Sequence, residues 1–195
     1  MQNSFNGIMS ICFNAAIVVI MIRSLYLMFG NERSAKHFRY FTTDSNILCA
    51  VSALFMLYSQ FFAAGNIAWI QVFKFVGTVS VTLTMLTVLF FLAPTQGWKE
   101  MFEGSNLYMH LVNPLLAIVS ILLFDGGGVM TLPQSLIGLC PTVFYGAAYS
   151  YYVLVKQRWK DFYGFNRGGR WYISVGAMLI ATLLICVVLK LLKVG

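Results

Sequence analysis

Residues 171–192 read WYISVGAMLIATLLICVVLKLL, an apolar run that contains one charged residue, Lys190. A helix needs about 20 predominantly apolar residues to cross the hydrocarbon core of a bilayer, so this run is long enough to span one. Over the whole chain of 195 residues, 59% are hydrophobic, 10% are charged, and the mean hydropathy is +0.79. These proportions exclude a soluble enzyme, a secreted disulfide scaffold and a disordered chain. The composition predicts a polytopic integral membrane protein.

Apolar runs of similar length precede this one and are separated by residues that break helices. The predicted spans are Gly7–Phe29, Thr42–Ala64, Ile67–Ala93, Leu107–Phe124, Leu132–Val155 and Trp171–Leu192. The runs are continuous and too long for strands, and the alternating ~10-residue segments of membrane β-barrels are absent. We therefore predict an all-α fold: a single domain over residues 1–195 with six transmembrane helices and short loops.

Basic residues are concentrated in two of the connections between the predicted spans. They are Arg33, Lys36 and Arg39 after the first span, and Lys156, Arg158, Lys160, Arg167 and Arg170 after the fifth. The positive-inside rule places loops 1, 3 and 5 in the cytosol and both termini outside. The net charge of +7 then indicates topology and attraction to anionic lipid rather than nucleic-acid binding. The minimal loops favour a bacterial inner membrane.

Polar residues inside membrane spans are costly, so each of them suggests a function or a partner. Thr42, Thr43, Asp44, Ser45 and Asn46 open the second span, and His110 lies about one turn into the fourth, between Asn106 and Asn113. Both groups follow cytosolic loops, so we expect them at the same depth in the membrane.

Two ion pairs are expected because an unpaired buried charge is strongly unfavourable. Asp44 is two residues from Thr42 and faces another direction, where Arg23 of the first span lies at a similar depth. Lys74 lies in the outer half of the third span, and its best partner is Asp125 at the outer end of the fourth.

The cysteines give no sign of a disulfide or a metal site. Cys12, Cys49, Cys140 and Cys186 all lie in predicted spans without paired spacing, so we expect free thiols. The sequence has no C-x-x-C or H-E-x-x-H pattern, and we predict neither a metal nor a cofactor.

A hydroxyl close to a neutral imidazole supports acyl transfer, because the imidazole can take the hydroxyl proton at neutral pH. Asparagine amides nearby could orient the ring or stabilise an oxyanion. Simpler interpretations stay open at this point. The run from Thr42 to Asn46 could cap the second helix, and His110 could hydrogen-bond to another membrane helix.

Two stretches resemble a known family. Residues 39–46, RYFTTDSN, resemble the F-T-x-x-S-N signature of bacterial members of the androgen-induced-gene superfamily, and residues 106–114, NLYMHLVNP, resemble its histidine segment. The animal members are six-span threonine hydrolases of fatty acid esters of hydroxy fatty acids. The resemblance implies a Thr/His-dependent carboxylic ester hydrolase that acts on a lipid ester from the membrane, with Thr42 as nucleophile and His110 as base.

Several assignments remain alternatives at this level. Thr43 and Ser45 are close enough to Thr42 to be the nucleophile instead. Substrate binding, ring orientation or oxyanion stabilisation is assigned to Arg39, Asp44, Ser45, Asn46, Asn106 and Asn113. Cys49 would be the nucleophile if the protein were a Cys/His acyltransferase like a related six-span group, and a Thr/His lipid acyltransferase is also open. The charged residues within spans leave a small transporter or channel as the rival function, and a non-catalytic helper of a lipid pathway as a third.

Overall fold

Helices form nearly all of the computed structural model, which describes residues 2–31, 35–62, 68–126, 128 and 130–193. In that part of the chain 87% of the structure is helical and there is no strand, which confirms the all-α prediction. The helices are α1 (Gln2–Asn31), α2 (Phe41–Phe62), α3 (Ala68–Gln96), α4 (Ser105–Phe124), α5 (132–155) and α6 (Trp171–Leu192). The predicted span ends at Ala64 and Ile67, and the loop residue Arg33, lie outside the described residues.

Five of the described helices, all except α5, are long and apolar enough to cross a membrane. The α5 segment is continuous but irregular: it joins Leu132–Leu136, a 3₁₀ turn over Ile137–Leu139, Cys140–Ser150 and a π-helical turn over Tyr151–Val155. Pro141 explains the 3₁₀ turn before it, because proline lacks the N–H that would continue the helical hydrogen bonds.

Proline also shapes α3 and α4. Pro94 and Pro114 each follow a π-helical turn, over Val88–Leu92 and Tyr108–Val112 respectively. In a π turn the hydrogen bonds run between residues five apart, so the helix continues although proline has no N–H to donate. As a result α3 continues past its predicted end at Ala93 to Gln96.

The central element of the bundle is α3, which is the most buried of the long helices. It packs against α2 and α4 on one side and against α5 and α6 on the other, while α1 packs on α2 and α4. Gly77 lets α2 approach α3 closely, because an added Cβ would lie 3.0 Å from the Cys49 Cα atom. All four cysteines are free thiols, as predicted.

A buried polar network joins α1, α3 and α4 near the end of α4. Asp125 Oδ1 accepts hydrogen bonds from Ser10, Asn14 and Ser120 at 2.6, 2.7 and 2.8 Å. The Lys74 Nζ atom donates to Asn14 Oδ1 at 2.6 Å and lies 3.8 Å from Asp125 Oδ2, with both charged side chains fully buried. The predicted pairing of Lys74 with Asp125 is therefore confirmed.

The predicted pairing of Asp44 with Arg23 is wrong. The Arg23 guanidinium lies 4.8 Å from the ring centroid of Tyr108, and the salt bridges among the described residues include none between Arg23 and Asp44. Arg23 lies on the exposed face of α1. A long cationic side chain in that position can lie over an aromatic ring and reach towards the interface, so it needs no buried carboxylate.

Candidate functional site

The polar run from Thr42 to Asn46 lies inside the first turns of α2, which begins at Phe41. Ser45 Oγ and Asn46 Nδ2 both donate to the Thr42 carbonyl, at 3.1 and 2.8 Å. The N–H of Phe41 donates to Tyr163 Oη at 2.9 Å. Among the hydrogen bonds of the described residues, no side chain of the run accepts an N–H of the first turn. The capping interpretation is therefore wrong, because the loop before α6 supplies the acceptor instead.

Asn46 links α2 to α4. Its Nδ2 atom also donates to the Met109 carbonyl at 3.0 Å, and its Oδ1 accepts from Asn113 Nδ2 at 3.1 Å. Both asparagines are fully buried. Since both amide hydrogens of Asn46 are used by carbonyls, this side chain has no donor left for an oxyanion. It holds the turn of α2 that carries Thr42 against the turn of α4 that carries His110.

His110 lies in the π-helical turn of α4, and such turns often occur at functional sites. Its ring is buried, and its Nδ1 atom lies 2.7 Å from the Met101 carbonyl in the loop between α3 and α4. A carbonyl only accepts hydrogen bonds, so in a neutral ring Nδ1 carries the hydrogen and Nε2 does not. This is the tautomer that a general base needs. The hydrogen-bond partner lies in a loop, not in another membrane helix.

A cavity of about 390 Å³ lies between α2, α3, α5, α6 and the loop of residues 156–170. Its walls are predominantly apolar. They include Phe41, Thr42, Leu83, Val88, Leu92, Val143, Tyr145, Gly146, Ala147, Tyr149, Tyr163, Phe165, Trp171, Val175, Met178 and Leu179. Because the walls are apolar, the occupant that they suit best is an apolar molecule.

Thr42 lies on the wall of this cavity, whereas Thr43 and Ser45 do not. Thr43 is 2% exposed, and Ser45 is 1% exposed and bonded to the Thr84 hydroxyl at 2.9 Å. Cys49 is fully buried in the apolar cluster shared by α1, α2, α3 and α4. Of the nucleophiles that the sequence suggests, Thr42 is therefore the one that an apolar substrate in the cavity would meet, while the other hydroxyl residues of the wall are Thr84, Thr87, Thr142 and Ser150.

His110 does not line the cavity, and the described part of the chain contains no hydrogen bond between Thr42 and His110. The two residues are joined indirectly, since Asn46 bonds to the Thr42 carbonyl and to the carbonyl of Met109, which precedes His110. Proton transfer between Thr42 and His110 therefore requires either a shift of a side chain that brings them into contact or a water molecule that bridges them.

The other predicted site residues do not converge on the cavity. The Arg39 guanidinium lies 5.8 Å from the ring centroid of Trp159. Asn106 donates to the Glu100 carbonyl at 3.0 Å, at the exposed start of α4. Asp44 is half-buried and is not a lining residue. Asn113 has one amide hydrogen beyond its bond to Asn46, and it remains the better placed of the predicted asparagines to donate near His110.

Residues from the loop of 156–170 close one end of the cavity, an arrangement that the apolar runs and charge pattern do not predict. Tyr163 and Phe165 from this loop line the cavity, and burial raises the pKa of Tyr163 to about 12, so its hydroxyl stays protonated at neutral pH. The Asp161 carboxylate accepts hydrogen bonds from the Tyr149 hydroxyl at 2.7 Å and from the N–H of Phe165 at 2.9 Å. The carboxylate thereby fixes the loop to α5.

Tyr145 and Tyr149, one helical turn apart on α5, are the sequence feature that accompanies this closure. The Tyr145 hydroxyl donates to the Arg39 carbonyl at 2.6 Å, so it joins α5 to the segment that precedes α2. Both tyrosines also line the cavity. Their hydroxyl groups satisfy polar partners while their rings form apolar wall, a dual role that suits tyrosine.

Comparisons with protein-family models, with curated proteins and with solved structures gave no match to this chain. The class that the fold defines is that of an all-α protein with several helices able to cross a membrane. Its function is inferred from its own residues.

Proposed function

We propose that this protein is an intramembrane hydrolase of lipid esters, such as fatty acid esters of hydroxy fatty acids, with Thr42 as nucleophile and His110 as base. One observation carries the proposal: Thr42, alone among the three neighbouring hydroxyl candidates, lies on the wall of a large apolar cavity. Apolar walls of this kind suit the hydrocarbon part of a lipid ester, and a hydroxyl on the wall can reach its carbonyl.

The reaction would proceed in two halves. His110 Nε2 takes the proton of Thr42 as the hydroxyl oxygen attacks the ester carbonyl, and the protonated ring returns the proton to the departing alcohol. Water then attacks the Thr42 acyl ester, again with His110 as base, which releases the fatty acid and restores the hydroxyl. The Met101 carbonyl stabilises the imidazolium form of the ring during both halves, as an acceptor on Nδ1.

The proposal requires His110 Nε2 to come within hydrogen-bond reach of the Thr42 hydroxyl, directly or through one water molecule, when substrate binds. Hydrogen bonds between catalytic groups are often long or absent before substrate is present. Asn46 limits the movement that is needed, because it already holds the two turns together. Binding of an acyl chain beside Thr42 is the event that would bring the side chains together.

An acyltransferase would share the first half of the reaction and differ only in the acceptor. If an alcohol or amine replaces water in the second half, the acyl group is transferred instead of released. Product identification separates the two outcomes, since hydrolysis gives a free fatty acid and transfer gives a new ester or amide.

The experiment is covalent labelling with a fluorophosphonate that carries an alkyl chain, on protein reconstituted in lipid nanodiscs. We expect labelling of the wild type, loss of labelling in Thr42→Ala, and retention in Thr43→Ala, a matched control whose hydroxyl is buried away from the cavity. His110→Gln should slow labelling by about 10²–10⁴-fold, the usual contribution of a general base. Labelling that persists in Thr42→Ala would refute the assignment, and no labelling or ester turnover in folded wild type would refute the enzyme.

We further propose that α5 crosses the membrane as a sixth span, with loops 1, 3 and 5 in the cytosol and both termini outside, in a bacterial inner membrane. The support is the continuous helical segment of 132–155 and the basic loop that follows it. In a variant without native cysteines, cysteine at exposed Thr131 and at exposed Arg158 should react with a membrane-impermeant maleimide from opposite sides. Reaction from the same side would refute the sixth span.

Transport is a second candidate, because the Lys74–Asp125 network is a buried polar site within the bundle. Asp125 Oδ2 and Gln60 Oε1 are buried there without a hydrogen-bond partner in the described part of the chain. Proton or ion flux in proteoliposomes that is lost in Asp125→Asn, with flux retained in Thr42→Ala, would favour this function. Ester hydrolysis without any such flux would exclude it.

A further inference from the structure

The shape of the cavity carries information about the substrate. On α5 its lining residues run from Thr142 to Ser150, and the rise between these two residues is about 12 Å. Tyr163 lies beside Tyr149, since its N–H donates to the Tyr149 hydroxyl at 3.4 Å, and Thr42 follows Phe41, whose ring centroid lies 5.0 Å from that of Tyr145. The cavity therefore runs past the proposed nucleophile, between α5 and α6.

The volume fits one hydrocarbon chain. An apolar cavity of about 150 Å³ accommodates benzene, which corresponds to about 25 Å³ per carbon atom. At that density the cavity of about 390 Å³ holds about 16 carbons. The two acyl chains of a membrane phospholipid together have far more carbons than this, so they do not fit side by side.

The cavity reaches the outer surface of the bundle. Val143 on α5 and Trp171 on α6 both line it, and they are 49% and 39% exposed respectively. Because these residues belong to helices on the apolar exterior, the opening faces the region that lipid occupies. A chain can enter sideways, between α5 and α6, without crossing an aqueous phase.

Gly146 lies midway along the α5 wall of the cavity. A Cβ atom built on this glycine has no atom within 4 Å, so a side chain here would extend into open space without a clash. Each carbon added at position 146 would thus remove about 25 Å³ from the volume available to a ligand. A leucine would remove about 100 Å³, which leaves room for about 12 carbons.

We infer that the cavity binds a single unbranched acyl chain of up to about 16 carbons, and that the absence of a side chain at Gly146 sets this limit. This inference rests on the proposed function for its chemistry, since the bound chain would be the acyl part of the ester attacked by Thr42. The binding of the chain itself does not depend on catalysis. Gly146 is therefore a residue that determines specificity.

The test measures binding of straight-chain fatty acids of about 8 to about 20 carbons to the protein in nanodiscs, by displacement of a fluorescent fatty acid. Affinity, expressed against the concentration of free fatty acid in water, should rise about fourfold per methylene up to about 16 carbons and then level off. In Gly146→Leu the plateau should begin at about 12 carbons, and in Gly146→Ala about one carbon earlier than in the wild type. Gly176→Leu is the matched control, because it also has open space at its Cβ but lies on α6 away from the cavity.

Three results would overturn the inference: no binding of any fatty acid, the same plateau in wild type and Gly146→Leu, or an equal shift in Gly176→Leu. The mild Gly146→Ala variant keeps the test valid if the leucine variant does not fold. Binding with the expected plateau but without ester turnover would refute the proposed hydrolase and leave the acyl-chain site standing.

Discussion

Replacement of Asp125 by asparagine should destabilise the bundle severely. The substitution keeps the size of the side chain and removes the carboxylate charge that lies 3.8 Å from the fully buried Lys74 ammonium, which keeps its hydrogen bond to Asn14 Oδ1. Removal of one partner of a buried ion pair typically costs about 3–5 kcal/mol, because the other charge stays desolvated. We expect a loss of unfolding free energy of this size.

Hydrogen bonds alone give a much smaller effect. Side-chain hydrogen bonds in membrane bundles average about 0.6 kcal/mol. Ser120→Ala removes one of the hydrogen bonds to Asp125 Oδ1, at 2.8 Å, and should cost about that amount. A loss in Asp125→Asn several times that in Ser120→Ala therefore indicates that the charge contributes beyond a single hydrogen bond.

The assay is reversible unfolding by SDS in mixed micelles, followed by far-UV circular dichroism. The double variant Lys74→Met with Asp125→Leu removes both charges, so it should be less destabilised than Asp125→Asn alone. A loss below about 1 kcal/mol in Asp125→Asn, or a double variant as unstable as the sum of the single ones, would show that the pair does not behave as a buried ion pair.

Two further substitutions test contacts that fix the helices. Gly77→Ala places a Cβ 3.0 Å from the Cys49 Cα atom, so α2 and α3 must separate, and we expect a loss of about 1–3 kcal/mol in the same unfolding assay. Tyr163→Phe removes the acceptor of the Phe41 N–H, and an unsatisfied buried donor should cost about 1–3 kcal/mol in that assay.

Each of these substitutions has a matched control. Gly176→Ala adds a methyl group to a helix where no atom lies within 4 Å, so stability should be unchanged or slightly raised. Tyr151→Phe removes the hydroxyl of an exposed tyrosine and should be neutral. A neutral Gly77→Ala would mean that α2 and α3 are not in close contact, and a neutral Tyr163→Phe would mean that another group caps α2.

Much of the fold could be predicted from local patterns. Long apolar runs define helices because every backbone polar group must be satisfied within a membrane, and this property is readable residue by residue. The Lys74–Asp125 pair was predictable for a related reason: so few charged residues lie within spans that the choice of partners is small. The predicted pairing of Arg23 with Asp44 was wrong because Arg23 lies on an exposed helix face, where its charge needs no buried partner.

The candidate site was predictable only in part. The depth of Thr42 and His110 follows from their distance to the ends of their spans. The distance between the two residues depends instead on how α2 and α4 pack. In the structure Asn46 joins these two helices through its hydrogen bonds to the Thr42 and Met109 carbonyls. The Tyr163 cap on α2 joins residues 122 positions apart, so no local pattern reveals it.

The sequence by itself determined that the chain is all-helical and that several of its helices are apolar enough to cross a membrane, because hydropathy and helix length are properties of each segment alone. The tertiary structure decided which hydroxyl meets an apolar cavity and which are buried against neighbouring helices. A cavity is a gap between segments, and its volume depends on the approach of α2, α3, α5 and α6 and on the loop that closes it. Small differences in helix packing open or fill such a gap, and no single segment encodes them.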